Sequence, residues 1–124
     1  METVNLENKF SLFTEHYKPH IIGEVNDCHV KAVKLKGEFL WHHHDHEDEL
    51  FLVVKGTLKM KFRDAHNTER EKTIGEGEFI IVPRGVEHCP SADQETHIVL
   101  IEPKSTLNTG NVTNERTVAQ LERL

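Results

Sequence analysis

The sequence predicts an all-β fold, an antiparallel barrel or sandwich, on three observations. Short apolar or alternating runs follow one another from residue 21 to residue 101, separated by turns in which glycine and proline recur. No helical pattern long enough for a parallel crossover intervenes. The densest group of chemistry-bearing residues, Trp41 to Gly56, runs straight into an apolar segment of strand length, so the group is expected to be mounted on a sheet.

Taken in order, residues 5–16 suit a short helix, with Asn5 as N-cap and Leu6, Phe10 and Phe13 on one face. Pro19 closes that region. Ile21 to Val25 and Cys28 to Lys36 are expected strands around an Asn26-Asp27 turn; Gly37 interrupts, and Phe39 to His44 resumes the extended pattern. Leu50 to Val54 is continuously apolar, as where both faces are covered, and Lys55-Gly56 turns the chain. From Thr57 to Arg63 the pattern alternates, with Leu58, Met60 and Phe62 on the core face. Residues 64–72 are polar and expected as a solvated loop, and Thr73-Ile74 begins a strand that stops at Gly75-Glu76-Gly77. Phe79 to Val82 ends at Pro83-Arg84-Gly85, where proline sets φ and glycine permits positive φ. Thr96 to Ile101 alternates again before Pro103. Residues 104–113 are irregular, and 114–124 are expected as a terminal helix or a frayed tail.

At 124 residues the chain is expected to form one domain, 1–124, with its barrel at about 20–103. A net charge of −6 without a basic face argues against nucleic acid, because phosphate binding runs on clustered Lys and Arg. No stretch approaches the roughly 20 apolar residues of a membrane span. The N-terminal residues lack a basic region followed by an apolar one, so a cytoplasmic protein is expected, with Cys28 and Cys89 as reduced thiols.

Four of the ten histidines fall within residues 42–46, and Glu47, Asp48 and Glu49 follow. Imidazole and carboxylate at this density point to a metal site. In a strand, residues i and i+2 share a face, so His42 and His44 point together and His43 points away. Glu49 lies an odd five positions beyond His44; the polar residues between must turn so that Glu49 opens a new strand beside the first. At the edge of a buried strand an unpaired carboxylate is costly, and an ion resolves the cost. His46 or Asp48 replaces Glu49 if the turn is tighter. His88, two residues after Pro83-Arg84-Gly85, is the candidate fourth ligand. Three histidines and one carboxylate suit a divalent transition metal (Fe, Mn, Ni, Co or Zn) and leave one or two positions open.

The spacing of these residues resembles the two motifs of the cupin superfamily. Gly37 precedes His42-x-His44, four residues lead to Glu49, and six more to Gly56. Gly77 leads through five residues to Pro83-x-Gly85, then two to His88. The departures are a leading gap one residue short and Ala92 where the pattern has asparagine. Asp48 to Phe51, Pro83 to His88 and Thr106 to Gly110 are also similar to a subgroup of small bacterial cupins. The resemblance implies a jelly-roll β-barrel with short terminal helices, His42, His44, Glu49 and His88 as metal ligands in its mouth, and a homodimer. It implies isomerase, lyase or dioxygenase chemistry on a small molecule, or a non-catalytic module that binds or senses one. A structural metal is a third and weaker reading.

Among the remaining candidates, His43 and His46 are expected as exposed neighbours. Cys89 is expected as a structural thiol, Arg84 as an exposed turn residue and Trp41 as packing. Glu87 is a general-base candidate only if it turns inward.

Overall fold

The computed structural model describes residues 1–124, and its strands form a jelly-roll-like barrel around the expected apolar positions. Helix α1 covers only Leu6–Phe10. Asn5 caps it by accepting from the Asn8 amide at 2.9 Å. Five residues have little helical stability of their own, and tertiary contacts hold the segment. Phe10 and Phe13 bury against Ile22, Ala32 and Val99 on the outside of the sheet. After Phe13, whose carbonyl accepts from Lys34 Nζ at 2.6 Å, the chain no longer turns as a helix.

Strands β1 (His20–Val25) and β2 (Cys28–Glu38) form the expected hairpin, and Asn26 takes positive φ at its turn. Strand β3 (Glu49–Lys55) begins one residue earlier than the apolar run. Strand β4 (Leu58–Arg63) pairs with β5 (Glu69–Ile74), so the expected loop is shorter than residues 64–72. Asp64 makes the turn compact by accepting the amides of His66 and Thr68. The first five residues of β5 are exposed, so no alternation marks it; its pairing with β4 makes it a strand.

Strand β6 (Phe79–Val82) pairs with β3 alone. Strand β7 runs from His88 to Pro103, far longer than the expected Thr96–Ile101. Its first part pairs with β4 and its second with β3, while β2 lies along both. One bent strand thereby joins the two sides of the barrel. The tail forms no helix: it ends in β8 (Glu122–Arg123), parallel to β1. Residues 39–44 are not a strand either; they meet the sheet through the His42 to His88 bridge and the Phe39 amide, which donates to the Pro90 carbonyl at 3.0 Å.

The interior is filled by Val33, Leu35, Phe51, Val53, Leu58, Met60, Ile98 and Leu100, the inward positions of β2, β3, β4 and β7. Phe62, expected in the core, is only half-buried and lines a cleft that it shares with the core residues Met60, Ile74 and Val82. No helix is long and apolar enough to cross a membrane.

Candidate metal centre

The segment carrying His42 and His44 is tied by its backbone to the segment carrying His88. His42 donates its amide to the His88 carbonyl at 3.0 Å, His88 returns the bond at 2.9 Å, and the Gly85 amide donates to the His44 carbonyl at 2.7 Å. Gly85 has a φ of 81°, which lets the turn deliver that amide and favours glycine there. Glu49 opens β3 opposite Val82, the last residue of β6. Two stretches remote in sequence, residues 42–49 and 82–88, therefore meet at one end of the barrel.

The structure brings His42, His44, Glu49 and His88 together; all are buried, and one ligand-type atom from each lies within 4.8 Å of the others. His44 Nε2 is 2.8 Å and His88 Nε2 3.1 Å from Glu49 Oε1. Ligands about 2.1 Å from one ion are separated by roughly 3 Å when adjacent, so these spacings are those of a coordination shell. His44 Nε2, His88 Nε2 and Glu49 Oε1 nonetheless have no aligned hydrogen-bond partner, despite their proximity. Buried polar atoms are rarely left so. The His42 ring donates from Nδ1 to the Leu40 carbonyl at 2.9 Å, and the His88 ring from Nδ1 to the Val86 carbonyl at 2.8 Å. Those bonds put a proton on Nδ1 of each ring and leave Nε2 as the nitrogen that can face a metal. A buried His/Glu cluster of this geometry fits a divalent metal.

The electrostatics agree. Burial, followed by the nearby His88, pushes His42 down to about 4, so its ring is neutral at pH 7. Burial alone raises the Glu49 carboxyl, but His44, His88 and Glu102 outweigh it and hold Glu49 well below the usual range. Glu102 shows the opposite: burial first, then the Glu49 charge, keep it well above. Glu102 and its ion-pair partner Lys31 were missed by the sequence reading. Glu102 lies just past the last residue of the expected strand, yet one more step of the Ile98, Leu100 alternation places it inward.

The other candidates lie outside the cluster. His43 faces away, with Nδ1 at 2.9 Å from Glu87 and Nε2 at 3.0 Å from Asp45. The Glu87 contact chiefly raises its pKa. Glu87 thus turns to His43 and not to the centre. His46 is exposed, and exposed Asp48 accepts the Arg84 amide at 2.9 Å, so neither replaces Glu49. Arg84 is an exposed turn residue. Cys89 is fully buried, and burial first of all pushes its thiol up to about 12, as suits a structural cysteine. Trp41 is half-buried beneath the Arg63 guanidinium, 4.8 Å from the ring centroid. Residues 104–118 add a contact that the sequence reading did not anticipate. Asn111 pairs with the His43 backbone in both directions, and Gly110 lies so close to the His43 carbonyl and the His42 ring that a Cβ would clash.

A void of about 40 Å³ is lined by His42, Glu49 and Glu102 together with apolar side chains, and Tyr17, Phe39 and Asn108 also border it. A separate cleft of about 610 Å³, lined by β4, β5 and β6 residues, contains none of the four.

This barrel and this cluster define the class of protein. The chain matches the Cupin domain family over residues 30–103 and belongs to it. It is 45% identical to a cupin-2 domain containing protein from Shewanella frigidimarina, with TM-score 0.77, covering 82% of this chain and 95% of that one. Protein YdbB of Bacillus subtilis is 29% identical over 102 residues, 80% of this chain and 87% of its own length. Hydroquinone 1,2-dioxygenase from Sphingomonas sp. TTNP3 shares the fold, with TM-score 0.74 at 18% identity; the match covers 84% of this chain and 32% of that one.

Proposed function

We propose that His42, His44, Glu49 and His88 bind one divalent transition metal (Fe, Mn, Ni, Co or Zn) and that the protein is a metal-dependent enzyme acting on a small molecule. The observation that carries this reading is the set of buried ring nitrogens and carboxylate oxygen facing one another without aligned hydrogen bonds. When bound, such an ion supplies Lewis acidity or a site for water or dioxygen. The chain's own part is to hold three imidazoles and one carboxylate in place, and to surround them with Phe51, Leu100 and Val33 so that bulk water is kept away.

The void beside His42 is about the volume of one water molecule. Tyr17, Phe39 and Asn108 border it together with His42, Glu49 and Glu102. Isomerase, lyase and dioxygenase chemistry all fit a three-histidine, one-carboxylate shell that leaves one or two positions open. A second reading, non-catalytic binding or sensing, rests on Glu87, the expected general-base candidate, being turned away to His43. Oxygen uptake by the Fe(II) form across a panel of small aromatic and aliphatic acids separates the two. Uptake with at least one compound, abolished in His88→Ala, supports the enzyme; binding without turnover across the panel supports the sensor.

We also propose a homodimer, formed through the outer face of β6, β3 and β7. Phe79, Ile81 and Ile101 are exposed there, and Leu50 of β3 pairs with both Ile81 and Ile101 to make a continuous apolar strip.

A further inference from the structure

The barrel interior holds a buried ion pair that the four proposed ligands do not use. Lys31 Nζ is 2.6 Å from Glu102 Oε1, with both side chains almost wholly excluded from solvent. A buried pair of this kind adds little net stability, because desolvation offsets the attraction, and an apolar pair of similar size serves the fold as well or better. Its position suggests another use. The β3–β7 ladder ends at Leu50 and Ile101, and the next residue of each strand, Glu49 and Glu102, lines the same void. Lys31 and Glu102 lie on the face of β2 and β7 that also carries Val33, Leu35, Ile98 and Leu100 into the core. The Glu102 carboxyl lies against that of Glu49, and its second oxygen, Oε2, is buried with no donor of its own.

We propose that Lys31 and Glu102 are positioning residues: Lys31 anchors Glu102, and Glu102 sets the orientation of the Glu49 carboxylate toward the metal. The inference rests on the metal-site reading above. Groups that orient a metal ligand commonly change affinity about 10- to 100-fold when removed. The amide of Glu102→Gln keeps the shape of the carboxyl beside Glu49 and an oxygen that accepts from Lys31.

The test is competition between each protein and a chromophoric chelator for Co(II), read beside the Co(II) visible spectrum and the melting temperature of the metal-free form. The Lys31→Met/Glu102→Leu double variant replaces the pair with apolar side chains. It is expected to melt no lower than wild type when metal-free, to bind Co(II) about 30-fold more weakly, and to show a shifted spectrum. Glu102→Gln is expected to stay within about threefold of wild type. Should the double variant not fold, Lys31→Met alone, which keeps the carboxyl but frees it, is expected to lose about tenfold. Affinity within twofold of wild type in the double variant, or in Lys31→Met where that arm is used, overturns the proposal. So does a loss in Glu102→Gln as large as that of the double variant. Wild type that binds no Co(II) would instead remove the metal-site reading itself.

Discussion

Acidifying the metal-free protein tests the electrostatics of the centre. His42 is held at about 4 in the folded chain, against about 6.5 when exposed. Its folded pKa is depressed and the group is a base, so the unfolded chain takes up a proton first. Stability is therefore intact above about pH 7 and is lost as pH falls from about 6.5 toward 4. Between pH 7.5 and 5.0 the linkage relation makes this loss about 2 kcal/mol. For a chain of this length that corresponds to a melting temperature lower by about 8 °C. Glu49 acts below this window, because a depressed carboxyl gives up its stabilisation only as pH falls through its folded pKa. Glu102 acts in the opposite sense, its raised pKa favouring the fold as pH falls. Urea unfolding of chelator-treated wild type and His42→Gln at both pH values isolates the His42 contribution, because the Glu102 contribution is common to both. The variant is expected to lose about 2 kcal/mol less than wild type over this interval. Equal losses in the two proteins would refute the reasoning.

Other outcomes follow from the same geometry. His42→Ala and His88→Ala should each purify without metal by elemental analysis while keeping the β-type circular dichroism of wild type. Gly110→Ala should destabilise the protein by about 2 kcal/mol or more in urea, since φ there is 57° and the new methyl group meets the His43 carbonyl. A thiol reagent should modify one cysteine per native chain, Cys28, and a second only after denaturation, because Cys89 is fully buried. Light scattering at micromolar concentration should return a dimer mass for wild type and a monomer mass for Ile81→Lys.

The four clustered residues were legible from local spacing and turn chemistry, although the segment that carries His42 and His44 forms an isolated bridge and not the expected strand. His42 and His44 share a face by their spacing, and the Pro83-Arg84-Gly85 turn presents His88. Residues governed by distant partners were harder to read. The start of β7, from His88 through Glu95, carries Pro90 and a polar run that look like a loop, yet β2 and β4 supply ladders that extend it. Strand β5 was hidden for a similar reason, its pattern being polar on both faces. Residues 5–16 carry a helical spacing of phenylalanines, but Phe13 reaches the sheet from beyond a helix that ends at Phe10. The C-terminal Val118 and Leu121 suggested a helix, whereas the tail ends in strand pairing with β1. Lys31 and Glu102 illustrate the same limit: each is an unremarkable charge in its own strand, and only the packing of β2, β7 and β3 brings Lys31 to Glu102 and Glu102 to Glu49.

The most direct measurement is a crystal structure of the metal-loaded protein with anomalous data collected at the metal's absorption edge. The account predicts one strong peak per chain, about 2.0–2.2 Å from a ring nitrogen of His42, His44 and His88 and from a carboxylate oxygen of Glu49. A peak seated instead at the surface among His43, Asp45 and His46, with the four buried side chains left bare, would contradict it.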